Sequence, residues 1–449
     1  MGQRRGRPPG QRAIPVRATA GRYSLEQLLQ DRHPPVQPAH TLFLRRSTQQ
    51  CLQQSQDSRR HPPRGLPASA GHLPVLQRQV RTAGICRVGI GTTETPAEEG
   101  CPLKITSLRG CQPIAENSPA DWRTTIGQIL VAIETDTGLV GYGVGGGGAA
   151  GIHVIEAELR SALIGRDPSP IEEIWDDLYE LMLPYGQRGI AIMALSAVDL
   201  ALWDLRGKEA GRPVADLLAG DQGSRVGEPL PTYITVWDGL AEAFATGHRA
   251  FKLHVERNSG PERVARVLDT VHQARELVGP GVPLMVDAWM KWDLDTTLAV
   301  AEGCQDLGVD WIEEPLPLHD IDGYLRLARE SPIPIAGGEH EYTARAFQTL
   351  IDQRLHQVLQ PDVCWCGGLT ELVKIYRMAQ GTGIRVCPHR GAEPWSLHAL
   401  AGLDPDPLPE SGRPWMTWVG GQPPIIDGKI TLSDRPGLGV EIDEDALPL

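Results

Sequence analysis

Three acidic residues stand out by type and spacing. Asp287, Glu313 and Glu339 each close a short apolar run, and they recur at intervals of 26 residues (313 − 287 and 339 − 313). Carboxylates gathered into one small volume repel, and one or two would protonate unless they share a cation. An all-oxygen donor set with room for water suits a hard ion, Mg2+ rather than zinc. The alternative is three separate ion pairs, but Lys and Arg are scarce at these positions. Asp362 and His389 end the next two apolar runs. A carboxylate that orients an imidazole raises its basicity and fixes its tautomer, which makes a general base near neutral pH. The alternative there is a structural histidine. Lys252 and His254, ahead of Asp287, are two residues apart and share one strand face. Lys252 can pair with a substrate carboxylate or simply cover a surface. His254 can be a second base or a substrate contact. Cys364 and Cys366 form a lone C-x-C, a weak zinc signal, and buried inert thiols are expected.

These residues need elements that bring them together. Polar strand ends at 252, 287, 313, 339, 362, 389 and 410 are separated by 35, 26, 26, 23, 27 and 21 residues, each the length of one strand–helix unit. Strands are expected at Thr232–Val236, Ala250–His254, Pro283–Trp289, Asp310–Pro315, Pro334–Glu339, Gln357–Asp362 and Arg385–His389. Helical periods such as Val264, Val267, Leu268, Val271, Ala274 and Leu277 lie between them. Parallel strands with crossover helices make an open sheet or a closed barrel. An open sheet normally carries a Gly-rich phosphate turn after its first strand, and none is present. A barrel converges its C-terminal strand ends on one mouth, where charged residues read as a site. Upstream, strands at Lys104–Leu108, Ile126–Glu134 and Leu139–Val144, with a turn at Thr135–Gly138, precede helical periods at Ile155–Leu163, Ile171–Leu183 and Ile190–Leu205. That order is an α+β unit of about 120 residues.

The chain has 449 residues, 41% hydrophobic and 22% charged, enough for a large core. No run approaches 18 apolar residues, so no transmembrane helix and no membrane partner are expected. The eight cysteines are scattered, which points to a reducing, cytoplasmic setting. The net charge of −13 hides an uneven split: residues 1–93 hold 15 Arg and three acids, for +12, and the rest carries −25. The acidic body is not a nucleic-acid binder, and an anionic substrate there needs a local cation. Residues 1–95 are expected to be a disordered Arg/Pro-rich extension without an export signal, since no apolar segment follows Arg4-Arg5.

The strings Ser196–Lys208 (SAVDLALWDLRGK), Met285-Val-Asp287, Trp311-Ile-Glu-Glu-Pro315, Gly338-Glu-His340, Gln360-Pro-Asp362 and Pro388-His389 resemble the enolase superfamily in its mandelate racemase/muconate-lactonizing branch. The resemblance covers roughly residues 103–449. Asp287-Ala-Trp-Met, Gly338-Glu-His-Glu341 and Gln360–Gly368 (QPDVCWCGG) are most similar to acid-sugar dehydratases of the L-rhamnonate kind. It implies an α/β fold: a (β/α)7β modified TIM barrel at 226–430, an N-terminal α+β capping domain at 103–225, and a segment at 431–449 returning to the cap. It also implies Mg2+ on Asp287, Glu313 and Glu339, a His389–Asp362 dyad, and Glu410 assisting the developing enolate. Two departures from the family pattern matter. Lys252-Leu-His254 stands where many relatives carry a Lys-x-Lys base pair, and Arg390–His398 (RGAEPWSLH) departs from a true rhamnonate dehydratase.

The expected activity is dehydration of a small sugar acid to a 2-keto-3-deoxy acid, by a homo-oligomer, with Lys252 and His254 at the reacting end. His340, Trp122 and Arg123 are expected substrate contacts, and segments Pro113–Thr125 and Gly143–His153 are expected to close over the site as loops. Glu314 is expected on the opposite strand face from Glu313. The rivals are a racemase, epimerase or cycloisomerase on the same fold, and a non-catalytic binding or assembly protein.

Overall fold

The computed structural model describes residues 103–255, 262–444 and 447, so the expected extension over 1–95 lies outside the described residues. The cap begins with an antiparallel sheet of β1 (Ile105–Cys111), β2 (Ile129–Thr135) and β3 (Val140–Gly145), in that spatial order. The Thr135–Gly138 turn reverses the chain because Gly138 takes φ 79° and its N–H donates to the Thr135 carbonyl at 3.0 Å. Two helices follow, packed on each other, with the second lying on the sheet. α1 (Ile171–Met182) buries Ile171, Ile174, Trp175, Leu178 and Met182 at helical spacing. α2 (Ile190–Glu209) is apolar nearly all round, and most of it is buried. Alternate glycines on β3 let α2 approach closely. A Cβ at Gly143 would stand 2.1 Å from the Ala197 carbonyl oxygen, and one at Gly145 2.2 Å from that of Met193. The segment expected as a closing loop at Gly143–His153 is therefore strand end and helix, the helix running over Gly148–Val154.

Seven parallel strands follow: β4 (Ile234–Val236), β5 (Phe251–His254), β6 (Leu284–Asp287), β7 (Ile312–Glu313), β8 (Ile335–Gly337), β9 (Val358–Leu359) and β10 (Arg385–Val386). They neighbour one another in chain order. Crossover helices α3 (Leu240–Ala245), α4 (Arg263–Val278), α5 (Leu294–Gly303), α6 (Ile321–Glu330), α7 (Thr343–Asp352) and α8 (Leu369–Ala379) join them, and α9 (Pro394–Leu403) follows β10. The ring closes at a parallel bridge between Tyr233 and Glu410, where the Tyr233 N–H donates to the Pro409 carbonyl at 3.1 Å and Ser411 N–H to Tyr233 at 2.9 Å. The architecture is a (β/α)7β barrel with an N-terminal α+β cap.

The strands are shorter than their apolar runs suggest. At the mouth the chain leaves extended geometry: Trp289, Glu314 and Arg390 take φ of 45°, 36° and 54°, and Gly338 takes 127°. Such left-handed positions collect at functional sites. Below the mouth, Tyr233, Ala250, Met285, Trp311, Ala336, Val358 and Cys387 form one buried cluster. Met285, Trp311 and Cys387 stand two residues before Asp287, Glu313 and His389, so alternation puts a packed apolar plug under the polar strand ends.

The cap is tied to the barrel by polar bonds. Trp175 Nε1 donates to the Gly367 carbonyl at 2.7 Å, and Thr370 donates to Asp199 from Oγ1 at 2.6 Å and from its backbone N–H at 3.0 Å. In the C-terminal segment, Glu444 accepts from Tyr142 at 2.7 Å and from Arg109 at 2.9 Å. No helix among the described residues is long and apolar enough to cross a membrane.

Candidate active site

Strand register builds the site. His254 on β5 stands opposite Asp287 on β6, which stands opposite Glu313 on β7. Lys252 projects into the same volume. Its Nζ lies 2.6 Å from Glu313 Oε1, 2.9 Å from Glu410 Oε1 and 3.7 Å from Asp287 Oδ2. Burial alone would depress this ammonium, but Glu313, Glu410 and Asp287 hold its pKa well above the usual lysine value. Burial pushes the Asp287 and Glu313 carboxyls up, and Lys252 offsets only part of that. Glu410 is buried too, yet Lys252 and His389 bring it down to about 2, and Thr235 donates to it.

The dyad is formed. His389 Nδ1 lies 2.8 Å from Asp362 Oδ2, and its Nε2 faces Glu339 Oε2 at 3.1 Å. With Nδ1–H donated to Asp362, Nε2 is the atom that accepts a proton. Burial disfavours the imidazolium, but Glu339 and Asp362 prevail and raise the His389 pKa. Asp362 also accepts from Arg390. Burial opposes its charge, yet Arg390 and His389 hold the carboxyl well below the usual range.

The donor chemistry fits a hard divalent cation. Buried Asp287, Glu313, Glu314, Glu339, Asp362 and Glu410 face Lys252, Arg390, His340 and His389. Six carboxylates thus face four basic groups, an excess of acid that a divalent cation would offset. Among the described residues, possible ligand atoms of Glu314, Glu339 and His340 lie within 4.8 Å of one another. Burial would lower the His340 pKa, but Glu339 and Glu314 push it up to about 10. Asp287, Glu313 and Glu339 remain the oxygen set suited to Mg2+.

A cavity of about 660 Å³ opens over the site, lined by Lys252, His254, Asp287, Glu339, His389 and Glu410. Trp122 and Arg123 also line it, on a short helix capped by Asp121. No residue of 143–153 is part of that lining.

His340 Nδ1 lies 2.8 Å from Glu314 Oε2, and its ring stands 6.4 Å from that of Trp289 and 6.0 Å from that of Trp365, both in the cavity lining. One expectation is corrected. Glu314 does not turn away from the mouth, because its left-handed backbone breaks strand alternation just after Glu313. Sequence reasoning also missed Arg390, and it missed Gln360, whose Nε2 donates to Glu313 Oε2. Gln360 had a usable signal only in the expected strand Gln357–Asp362, where it alternates with Asp362; the observed strand ends at Leu359.

Residues 120–219 match the mandelate racemase / muconate lactonizing enzyme N-terminal domain, and residues 237–446 match the enolase C-terminal domain-like family. The chain belongs to the enolase superfamily. It is 34% identical over 348 residues to a D-galactarolactone cycloisomerase of Agrobacterium fabrum, covering 71% of this chain and 90% of the relative. A Caldivirga maquilingensis protein provisionally named an L-rhamnonate dehydratase is 33% identical over 346 residues, covering 74% of this chain and 85% of that one. The solved structure of Gibberella zeae rhamnonate dehydratase complexed with Mg superposes with a TM-score of 0.68 at 28% identity, covering 78% of this chain and 96% of that one. This enolase-superfamily enzyme thus has dehydratase and cycloisomerase homologues, and a homologous structure holds magnesium.

Proposed function

We propose that this enolase-superfamily enzyme is an Mg2+-dependent acid-sugar dehydratase acting on an L-rhamnonate-like substrate. The observation that carries the reading is the His389–Asp362 pair, with Nε2 turned toward the carboxylate cluster. Asp287, Glu313 and Glu339 would hold the metal. When bound, a divalent cation supplies positive charge against the enediolate that develops on the substrate carboxylate, worth several kcal/mol. Lys252 adds a fixed charge at the same end. His389 Nε2 takes the proton α to the carboxylate, and Asp362 steadies the resulting imidazolium. His389 or another acid then protonates the leaving β-hydroxyl, which departs as water. The enol ketonises to a 2-keto-3-deoxy acid. The test is a panel of acid sugars with Mg2+, assayed for the keto product. Consumption of none of them would sink the reading.

A second reading, epimerisation, rests on His254, which lines the same cavity and stacks on Trp237 at 4.9 Å between ring centroids. Two histidine bases on opposite faces of the α-carbon would serve that chemistry.

A further inference from the structure

The segment Arg390–His398, which departs from the family pattern, supplies a further partner to the dyad. Asp362 and His389 each stand three residues beyond their strands (362 − 359 and 389 − 386), because β9 ends at Leu359 and β10 at Val386. No ladder fixes either side chain there, so side-chain bonds must. Asp362 Oδ1 accepts from the Cys364 backbone N–H at 2.8 Å, and Oδ2 is shared by His389 Nδ1 and Arg390 Nη2. Arg390 is itself fixed. Its backbone, left-handed at φ 54°, donates N–H to Glu410 Oε2 at 3.0 Å. Its guanidinium lies 4.8 Å over the Trp365 ring, and Trp365 Nε1 donates to the Gly127 carbonyl of the cap at 3.3 Å. Both oxygens of nearby Glu393 are taken by Arg413, Oε1 by Nε at 2.8 Å and Oε2 by Nη2 at 2.6 Å. Among the described residues, Arg390 Nε is buried with no hydrogen-bond partner. A side chain placed for stability alone would satisfy that donor.

We infer that Arg390 is a positioning residue for the general base: its guanidinium holds the Asp362 carboxylate so that His389 turns Nε2, and not Nδ1, to the cavity. An oxygen of a carboxylate has two lone pairs, one for each donor, so the two bonds to Oδ2 set its tilt together. A guanidinium suits the task, since it stays charged and keeps its nitrogens in one plane. Without it the carboxylate swings about the Cys364 bond, and the imidazole swings with it. A misplaced base costs rate although every reacting group is present. The inference rests on proton abstraction by His389, the step that the dehydratase and epimerase readings share.

Arg390→Ala and Arg390→Lys test it, in the full chain with Mg2+. The first readout needs no substrate. It is the downfield proton resonance of an imidazole N–H held by a carboxylate, assigned to His389 by its loss in His389→Asn. The unaltered protein should show it, Arg390→Ala should lose or displace it, and Arg390→Lys should lie between. The second readout is turnover and α-proton exchange with the acid sugar consumed fastest. Arg390→Ala should lower kcat and exchange by roughly 10²-fold, the cost of a misplaced reacting group, with KM within about threefold. The rise in thermal midpoint on adding Mg2+ should stay. Guanidinium ion, too dilute to denature, should restore roughly tenfold in Arg390→Ala, the worth of one charge-assisted hydrogen bond, and nothing in His389→Asn. Should the alanine variant not fold, the lysine variant carries the same comparison. A resonance unmoved in the variants, or absent from the unaltered protein, overturns the inference. So does an unchanged kcat with a raised KM, which would make Arg390 a substrate contact. A loss that neither guanidinium nor lysine repairs overturns it too, since the role would then be structural. If no sugar is consumed by the unaltered protein, the dehydratase reading sinks, and the resonance alone decides this one.

Discussion

Lys252 and Glu313 form a buried ion pair at the centre of the barrel mouth, 2.6 Å from Nζ to Oε1, with neither side chain more than 2% exposed. Both charges have left water, which is costly unless other partners satisfy them. Glu410 and Asp287 do so for the lysine, and Gln360 does so for Glu313. The lysine is a fixed cation among carboxylates that would otherwise repel. Lys252→Met should therefore destabilise the metal-free protein by roughly 3–5 kcal/mol, the usual cost of leaving a buried charge unpaired. Denaturant midpoints at neutral pH, with chelator present, measure this. A loss near zero would mean that the acids there are already protonated.

The metal prediction separates the site from the scaffold. Binding to the folded state alone raises stability, by about 2.7 kcal/mol when the ion stands at a hundred times its dissociation constant. Mg2+ should raise the thermal midpoint of the unaltered protein. Glu313→Gln should remove most of that rise and abolish turnover, while keeping the shape that packs against Trp311 and Gln360. Turnover that persists in excess chelator would exclude the metal role.

Proton abstraction distinguishes the two histidines. His389 has Asp362 at 2.8 Å, whereas His254 Nε2 lies 3.5 Å from Oδ2 of Asp287, itself a proposed metal ligand. His389→Asn should end exchange of the α-proton with deuterated solvent and cut turnover by roughly 10²–10⁴-fold. His254→Asn should retain exchange and mainly weaken binding. Loss of exchange from one α-epimer alone in His254→Asn would install the epimerase reading instead.

Most of this scaffold was legible because a β/α repeat writes itself twice, in apolar runs and in the polar residue that closes each run. Asp287, Glu313, Asp362 and His389 could be placed from that rhythm. Glu314 could not, since alternation holds only while the strand lasts, and the strand stops at Glu313. The pairing of His340 with Glu314 could not be read either, because it depends on the same break in alternation. Of the tryptophans that line the cavity, Trp122 was expected, whereas Trp237, Trp289, Trp365 and Trp415 come from distant segments that share no spacing. The pairing of Arg390 with Asp362 was hidden for the same reason.

One of the ties between cap and barrel runs through a tight turn. Gly368 has φ 88°, and a Cβ there would stand 2.2 Å from Asp199 Oδ2 and 2.6 Å from Asp199 Cβ. Asp199 is the acceptor that ties α2 to Thr370. Gly368→Ala must strain the backbone and push Asp199 from its donors, costing roughly 2–4 kcal/mol. The thermal midpoint should fall, and the cap should exchange amide protons faster than the barrel. An unchanged midpoint would show that the two parts are held together elsewhere.

Acid should loosen a different seam. His398, fully buried on α9, accepts the Ala215 backbone N–H at Nδ1, 3.0 Å away. An acceptor nitrogen must be unprotonated, and burial keeps the ring neutral by bringing its pKa down to about 4. In the unfolded chain the ring protonates near 6.5. Between those values the unfolded state binds more protons, so stability is complete above pH 6.5 and is lost as pH falls toward 4. The loss amounts to roughly 3 kcal/mol over the whole window. Buried His356, lowered to about 4 by the same desolvation, adds a second loss of the same sign. Asp199 works against both. Burial raises its pKa to about 7, so its contribution grows as pH falls from 7 toward 3.8. The comparison must therefore be between variants rather than between pH values alone. His398→Asn keeps an oxygen acceptor near the Nδ1 position and removes the titration. Its denaturant midpoint should start lower at pH 7, because the smaller side chain leaves a gap, and then fall less steeply to pH 4.5 than the unaltered protein's. Parallel slopes would mean that His398 is already charged in the folded state.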